Sequence, residues 1–337
     1  DYKIYYADCE SFVRSGTHSL YLIGVVSNIS DIVRIYDRTE QKDEQETTYK
    51  FLDHITNKGK NKNVKVYFHN LKYDYNLLER YLNIHSKCEK DNQIYSVDIT
   101  HKKCDIKFVD SYKMIPMALS KFNDSFKLGE KFAKKEAIAY EYYTQENANK
   151  MCHIDEYKKY LSTKNKLIFD KNMKTEETYN KKNNCFNPSV YYKDYLKLDC
   201  LTLKKGLLKF NDIIDDLSKN KISVFNHLTI SSLTDFYMKI NKVYVGVYEI
   251  TGNLREYVGR AVYGGRVHVN DKYKKKIIKG KISDYDGVSL YPSAINRLCR
   301  ERGLPKGKAK RMTKRHIKEW FKLDYCILTV KIGRAHV

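Results

Sequence analysis

No uninterrupted apolar run in the chain approaches the roughly 18 to 20 residues that a membrane-spanning helix needs, so no membrane partner is expected. The eight cysteines, at 9, 88, 104, 152, 185, 200, 299 and 326, form no CxxC pair. That argues against a zinc ribbon and against a small disulfide scaffold, and a reducing compartment fits best. Proline and glycine are few, 4 and 15, beside 30 tyrosines. With the many lysines and asparagines, this skew reads as an AT-rich coding sequence rather than a physical requirement. Acidic residues are also short, 41 against 63 Lys and Arg, and the net charge is +22. That sign fits a partner carrying many phosphates, although acidic proteins or lipid headgroups satisfy the same arithmetic. No internal repeat at a period of roughly 20 to 50 residues is visible. The chain opens at Asp1 without Met and lacks a basic-then-apolar signal segment, so a missing N-terminus is the expectation and targeting is unread. Residues 332–337, IGRAHV, match the conceptual translation of a sequencing adaptor; the alternative is a natural strand with a short tail.

At 337 residues the chain has room for roughly two domains of about 150 residues. Residues 2–13, the run SLYLIGVVSN from Ser19 and the run IVRIYD from Ile32 read as three β-rich segments separated by polar turns, a meander. KNVKVYFHN from Lys62 is another strand, and YDYNLLERYL from Tyr73 has the spacing of an amphipathic helix, so the chain passes into a βα unit. IYSVDIT (94–100) and CDIKFVDSY (104–112) add two more strands. The expected fold class is α/β, a five-stranded mixed sheet with helices on its faces. Residues 147–187 are Lys- and Asn-rich and weakly patterned, as in an insertion or mobile loop. The strongly periodic helix at 191–210 closes the first domain. The expected division is therefore 1–210, a connecting region 211–280, and a further domain beginning with the strand KISDYD at Lys281 and running to 337.

Three short patterns carry carboxylates. Asp8 and Glu10 are i and i+2 on a strand, so both point to one face about 7 Å apart along it; the pair is either a divalent-cation site or the exposed polar face of an edge strand. In His69-Asn70-Leu71-Lys72-Tyr73-Asp74 a strand hands over to a helix, and Asp74 is either a helix cap or a charge facing the open crevice at the sheet's carboxyl edge. Tyr195 and Asp199 stack on one face of the 191–210 helix, beside the apolar stripe Leu196, Leu203, Leu207. An inward Asp there is costly unless it pairs with a nearby Lys or binds metal.

Taken in order, a DxE strand, a strand-to-helix NxxxD and a helical YxxxD resemble the 3′ to 5′ proofreading exonuclease domain of family B DNA polymerases. YFHNLKYD (67–74) is similar to the protein-primed branch found in bacteriophages and linear plasmids. The resemblance implies a ribonuclease-H-like fold in which Asp8, Glu10, Asp74 and Asp199 hold two Mg²⁺ or Mn²⁺ ions, which can clamp the attacking and leaving oxygens of a phosphodiester. It also implies that Tyr195 orients the attacking water and that His69, Asn70 and Tyr73 hold and stack a frayed single-stranded 3′ end. ALSKF (118–122) resembles a single-strand-binding SLxxh segment with Ala118 in the place of Ser, which makes Leu119 a DNA-contact candidate, and a helper lysine is expected at Lys134 or Lys135.

Downstream, Asp286-Gly287-Val288-Ser289-Leu290-Tyr291-Pro292 reads as a strand that breaks at Gly, with Pro292 in the first turn of a helix. An aspartate at a strand end can hold magnesium, and turn amides can meet phosphates. The run resembles the DxxSLYP motif of the family B palm. By that likeness Asp286 binds the catalytic metals, Ser289 and Leu290 contact the incoming dNTP, and Tyr291 excludes a 2′-hydroxyl. Ala261-Val262-Tyr263-Gly264-Gly265-Arg266 resembles the YxGG motif that binds template, with Val262 where the strict pattern has Tyr. This makes Tyr263, Gly264, Gly265 and Arg266 DNA-contact candidates. The fingers motif NSxYG and the second palm motif YxDTD do not occur in the chain. The basic runs 272–281 and 306–318 are either solvated faces or the lining of a duplex channel. The expected function is that of a protein-primed family B DNA polymerase with proofreading, acting on single-stranded and primer-template DNA, with a terminal protein primer implied by likeness alone and the source element (phage, linear plasmid or another mobile element) unread. A stand-alone 3′ to 5′ exonuclease and a non-catalytic basic nucleic-acid-binding protein are the alternatives.

Overall fold

A computed structural model of the chain describes residues 2–14, 16–133, 137–262, 264, 268–303, 307–313, 317–320, 322–323 and 326–328. Two compact units divide it, Asp1–Tyr237 and Met238–Val337. The first is built on strands β1 (Lys3–Arg14), β2 (Thr17–Ser27) and β3 (Arg34–Asp37), helix α1 (Glu44–Ile55), β4 (Asn63–Phe68), α2 (Lys72–Leu78), β5 (Ile84–Lys90), β6 (Gln93–His101) and β7 (Cys104–Asp110). The short α3 (Phe122–Phe126) follows, then β8 (Cys152–His153), α4 (Ile154–Lys158), α5 (Thr163–Met173), β9 (Cys185–Phe186), the long α6 (Pro188–Ser218) and α7 (Ile230–Ile240).

The sheet order is β3-β2-β1-β4-β7-β6-β5. β1 pairs antiparallel with β2 and parallel with β4, and β4 pairs parallel with β7, so the middle of the sheet is parallel and both flanks are antiparallel. Seven strands stand where the sequence reading names six candidate runs and expects a five-stranded sheet; edge strand β5 is the one it does not name. The added edge strand β5 is exposed along nearly its whole length and carries Lys87, Glu89 and Lys90, so it lacks the alternation that marks a half-buried strand; only its register with β6 makes it a strand. One face of β1 sends Ala7 and Cys9 into a core with Ile23, Val25, Phe51, Val66, Phe68 and Phe108. The opposite face meets α6, whose Leu196, Cys200, Leu203 and Leu207 are buried.

α6 starts with Asn187 accepting from the amides of Ser189 and Val190 and with Pro188 in its first turn, and it ends at Lys219 in the left-handed region. It therefore runs past the expected limit of 210, and the first unit extends to Tyr237 because Lys65 Nζ donates to Phe225 O at 2.7 Å and Val224 and Leu233 are buried. Segment 147–187 is a packed layer rather than a mobile loop. Tyr157, Phe169 and Phe186 are fully buried, with ring centroids 5.0 to 5.3 Å apart. Widely spaced aromatics among lysines leave no periodic signal yet bury much apolar area each.

In the second unit, α8 (Gly252–Gly259), α9 (Leu290–Glu301) and α10 (Ile317–Trp320) are formed. The expected strand at 281–286 is not: these residues are exposed and without regular structure, and no described strand lies beside them to take their backbone hydrogen bonds. Among the described residues no helix is long and apolar enough to cross a membrane.

Close approach of α6 to the rest of the unit depends on two small positions. A Cβ on Gly24 would lie 2.7 Å from Cys200 Sγ, and one on Gly206 would lie 2.1 Å from Phe122 Cδ2. Phe122 in turn supports the His69 ring, at 5.1 Å between centroids. Gly206→Val should therefore lower the unfolding free energy by about 1 to 3 kcal/mol, as overpacking does, measured as a shift of the urea midpoint; an unchanged midpoint would contradict this packing.

Candidate metal centre

Strand β1 outruns its parallel neighbour. Its pairing with β4 ends at Tyr6 opposite Tyr67, and β4 stops at Phe68, so the amide of Cys9 projects past the end of β4. Asp74, in the first turn of α2 and 1% exposed, fills that place: its Oδ1 accepts from Cys9 N at 2.8 Å. Asp74 is thus not the cap of α2, whose cap position is Leu71. Nor is the DxE pair on an edge strand, because β1 is third of seven. Glu10 is 6% exposed, and a bulge between Glu10 and Ser11 shifts the register with β2, a device common beside active sites.

Over this end of β1 lies α6. Asp8, Glu10 and Asp199 each offer a carboxylate oxygen, and these atoms lie within 4.8 Å of one another. Asp74 is outside that trio but near enough for its charge to act on Asp8 and Glu10. Burial, with Asp74, Glu10 and Asp199 next in weight, pushes the Asp8 carboxyl well above its usual range. Burial likewise raises Glu10 to about 8, against a hydrogen bond from Tyr192 that lowers it. Burial raises Asp74 to about 8, opposed by the Cys9 amide. Tyr192 OH donates to Glu10 Oε2 at 2.6 Å. The Tyr195 hydroxyl is pushed far up by burial and then by Asp199, so it stays protonated, and it hydrogen-bonds Tyr140. The Cys9 and Cys200 thiols are raised by burial and the adjacent carboxylates and stay protonated. The donor set is therefore hard oxygen only, the type that suits Mg²⁺ or Mn²⁺.

Beside the carboxylates runs a wall of polar and aromatic groups at the carboxyl ends of the parallel strands, where ligands bind in open α/β sheets. His69 is held from both ring nitrogens, Nδ1 to Ser111 Oγ at 2.9 Å and Nε2 to Met117 O at 2.8 Å, and burial keeps it neutral. Asn70 has φ of 71°, and its amide donates to Asp110 Oδ1 at 2.9 Å. Tyr73 keeps 37% of its surface exposed while its hydroxyl bonds Ser11 Oγ at 2.7 Å, which also meets His18 Nδ1 at 2.8 Å. A cavity of about 450 Å³ opens on His69, Asn70, Tyr112, Lys113 and Lys72. Sequence reasoning missed Tyr192, Ser11, His18, Ser111 and Tyr112. Tyr192 was findable, since it lies one helical turn before Tyr195. Leu119 lies in a short turn after the segment that supports His69, next to Ala118, which lines the cavity with Asp110, Tyr112 and Lys113.

In the second unit Asp286, Ser289, Leu290 and Tyr291 are all exposed, the last two at 64% and 67%. Ser289 precedes α9 with φ of 52°, and Pro292 is in its first turn. No carboxylate cluster gathers around Asp286 among the described residues. Gly264 has open space around it. Tyr263, Gly265, Arg266, Lys134, Lys135 and the tail 332–337 lie outside the described residues.

The family model for DNA polymerase type B, organellar and viral, matches residues 55–335. No curated protein matches the chain. Among solved structures it is similar to Phi29 DNA polymerase complexed with primer-template DNA and incoming nucleotide substrates, with 18% identity, a TM-score of 0.49, and coverage of 82% of this chain and 41% of that one. The same polymerase complexed with single-stranded DNA gives 16% identity and a TM-score of 0.46, covering 82% of this chain and 42% of that one. The chain thus spans about two fifths of the length of the solved structures it matches.

The raised carboxyls make a testable link to stability. A group whose folded pKa lies above its unfolded value, about 4 for Asp and Glu, favours the folded state fully below the unfolded value and loses that contribution as pH rises through the folded one. For Glu10 and Asp74 that loss falls between about 4 and about 8. With chelator present, the melting temperature should fall across this window, and Mg²⁺ should restore it most at the alkaline end; scanning fluorimetry showing no pH trend would contradict the assignment.

Proposed function

The chain belongs to the organellar and viral type B DNA polymerases, and from that premise we propose that its first unit is a metal-dependent 3′ to 5′ exonuclease acting on single-stranded DNA, the proofreading activity of a protein-primed replicative polymerase. The observation that carries the reading is the convergence of Asp8, Glu10 and Asp199 within 4.8 Å, drawn from a central strand and a helix far apart in sequence.

Asp8, Glu10 and Asp199 would hold the ions, with Asp74 as fourth carboxylate anchored by the Cys9 amide. Two Mg²⁺ or Mn²⁺ ions, when bound, supply a nucleophilic water at neutral pH and charge stabilisation at the leaving oxygen. The chain's own groups do the rest. Tyr195, protonated and beside Asp199, has a hydroxyl fit to orient a water in the site. Asn70, its backbone N–H held by Asp110, is placed to offer its side-chain amide to a strand's terminal nucleotide, and His69, with both ring nitrogens bound to Ser111 and Met117 O, is a rigid support beside it. Tyr73 offers a ring face anchored by Ser11 for a base to stack on. The charge of +22 favours capture of the phosphate backbone, with affinity that falls as salt rises.

Asp286, Ser289, Leu290 and Tyr291 belong in this reading to the polymerase active site of the whole protein, with dNTPs as substrates. The chain as it stands carries no YxDTD pair and is expected not to extend a primer.

Labelled single-stranded DNA tests this. With Mg²⁺ the chain should shorten it from the 3′ end, and Asp8→Ala, Asp74→Ala or Asp199→Ala should each slow the reaction at least about a hundredfold, as loss of several kcal/mol of stabilisation implies. Tyr73→Ala should weaken strand binding about tenfold, within the range for one stacked base. Binding without degradation would favour the non-catalytic alternative, and primer extension with dNTPs would contradict the account of the missing motif.

A further inference from the structure

Tyr192 holds Glu10 from a fully buried position. Its ring is fully buried and packed against Tyr143 at 4.4 Å and Tyr21 at 5.8 Å between centroids. Those neighbours leave no room for it to turn away. Its hydroxyl donates to Glu10 Oε2 at 2.6 Å across 182 positions of sequence, and burial together with the Glu10 carboxylate holds that phenol protonated. One oxygen of Glu10 is therefore engaged by a fixed donor, and the carboxylate is kept from rotating. Oε1 remains for a ligand.

Cations differ in how they use a carboxylate. Ca²⁺ takes six to eight oxygens and accepts two from one carboxylate, whereas Mg²⁺ demands near-octahedral single oxygens at shorter range. We infer that Tyr192 is a positioning residue that sets the ion preference of the site: by holding Oε2 it makes Glu10 a one-oxygen ligand and turns the carboxylate trio toward Mg²⁺ and Mn²⁺ and away from Ca²⁺. The inference rests on Asp8, Glu10 and Asp199 being the cation site.

Mn²⁺ binding to the full chain, followed by electron paramagnetic resonance with Ca²⁺ as competitor, tests it without reference to activity. The wild-type chain should keep its Mn²⁺ against equimolar Ca²⁺. Tyr192→Phe should narrow the Mn²⁺-to-Ca²⁺ affinity ratio about tenfold, the lower end of what loss of a ligand's hydrogen-bond partner costs in metal affinity. Tyr143→Phe removes a buried hydroxyl of the same cluster that bonds Tyr157 and Pro188 O but not Glu10, and should leave the ratio unchanged. A ratio unmoved in Tyr192→Phe, or moved equally in Tyr143→Phe, overturns the inference. So does a wild-type chain that exchanges Mn²⁺ for equimolar Ca²⁺, which requires no variant to fold. A wild-type chain that binds no Mn²⁺ at all instead sinks the cation-site reading beneath it.

Discussion

Mutual repulsion among buried carboxylates is the constraint around which the first unit is arranged. Asp8, Glu10, Asp74 and Asp199 are brought together where burial already penalises charge, and the hydrogen bonds from Cys9 N to Asp74 and from Tyr192 OH to Glu10 offset that only in part. What else holds them is distant: the fixed pairing of β1 between β2 and β4, and the docking of α6 through Leu196, Cys200, Leu203 and Leu207 onto the same strands. Gly24 opposite Asp8 lets α6 come this close, because any side chain there would strike Cys200 and Leu196. Stability from the core is thus spent on an arrangement that is unfavourable by itself, the pattern expected where a site awaits a counter-charge.

Tyrosine is the second material of the site. Compositionally it looked like codon bias, yet Tyr21, Tyr143, Tyr157, Tyr191 and Tyr192 are buried with their hydroxyls bonded in the interior. Each brings a large apolar surface and one polar tip that a nearby acceptor must satisfy. Through them the layer formed by residues 137–187 is tied to α6, and α6 to Glu10. The same residue type therefore closes the core and reaches the chemistry.

The strands β1, β2, β3, β4, β6 and β7 and the helix α6 were legible because their apolar runs are regular; Asp8, Glu10, Asp74, Tyr195 and Asp199 were singled out by the resemblance of their motifs to a known family, not by spacing alone, and the structure gathers Asp8, Glu10 and Asp199. Edge strand β5 was not, since its exposed polar residues carry no period. The packed layer at 147–187 was not, since Tyr157, Phe169 and Phe186 are too far apart in sequence to show one. Ser111 and Tyr112 escaped notice because their partner, His69, is supplied by tertiary contact. The strand proposed at 281–286 shows the opposite failure. Its apolar residues, Ile282 and Tyr285, are three apart and give no alternation, and a strand exists only beside another, which none of the described residues supplies.

The central claim is a spatial one, that these carboxylates are a divalent-cation site. Anomalous diffraction from crystals of the chain soaked in Mn²⁺ measures it directly. The account predicts manganese density among the oxygens of Asp8, Glu10 and Asp199. Carboxylates turned onto neighbouring lysines, with no manganese between them, would contradict it.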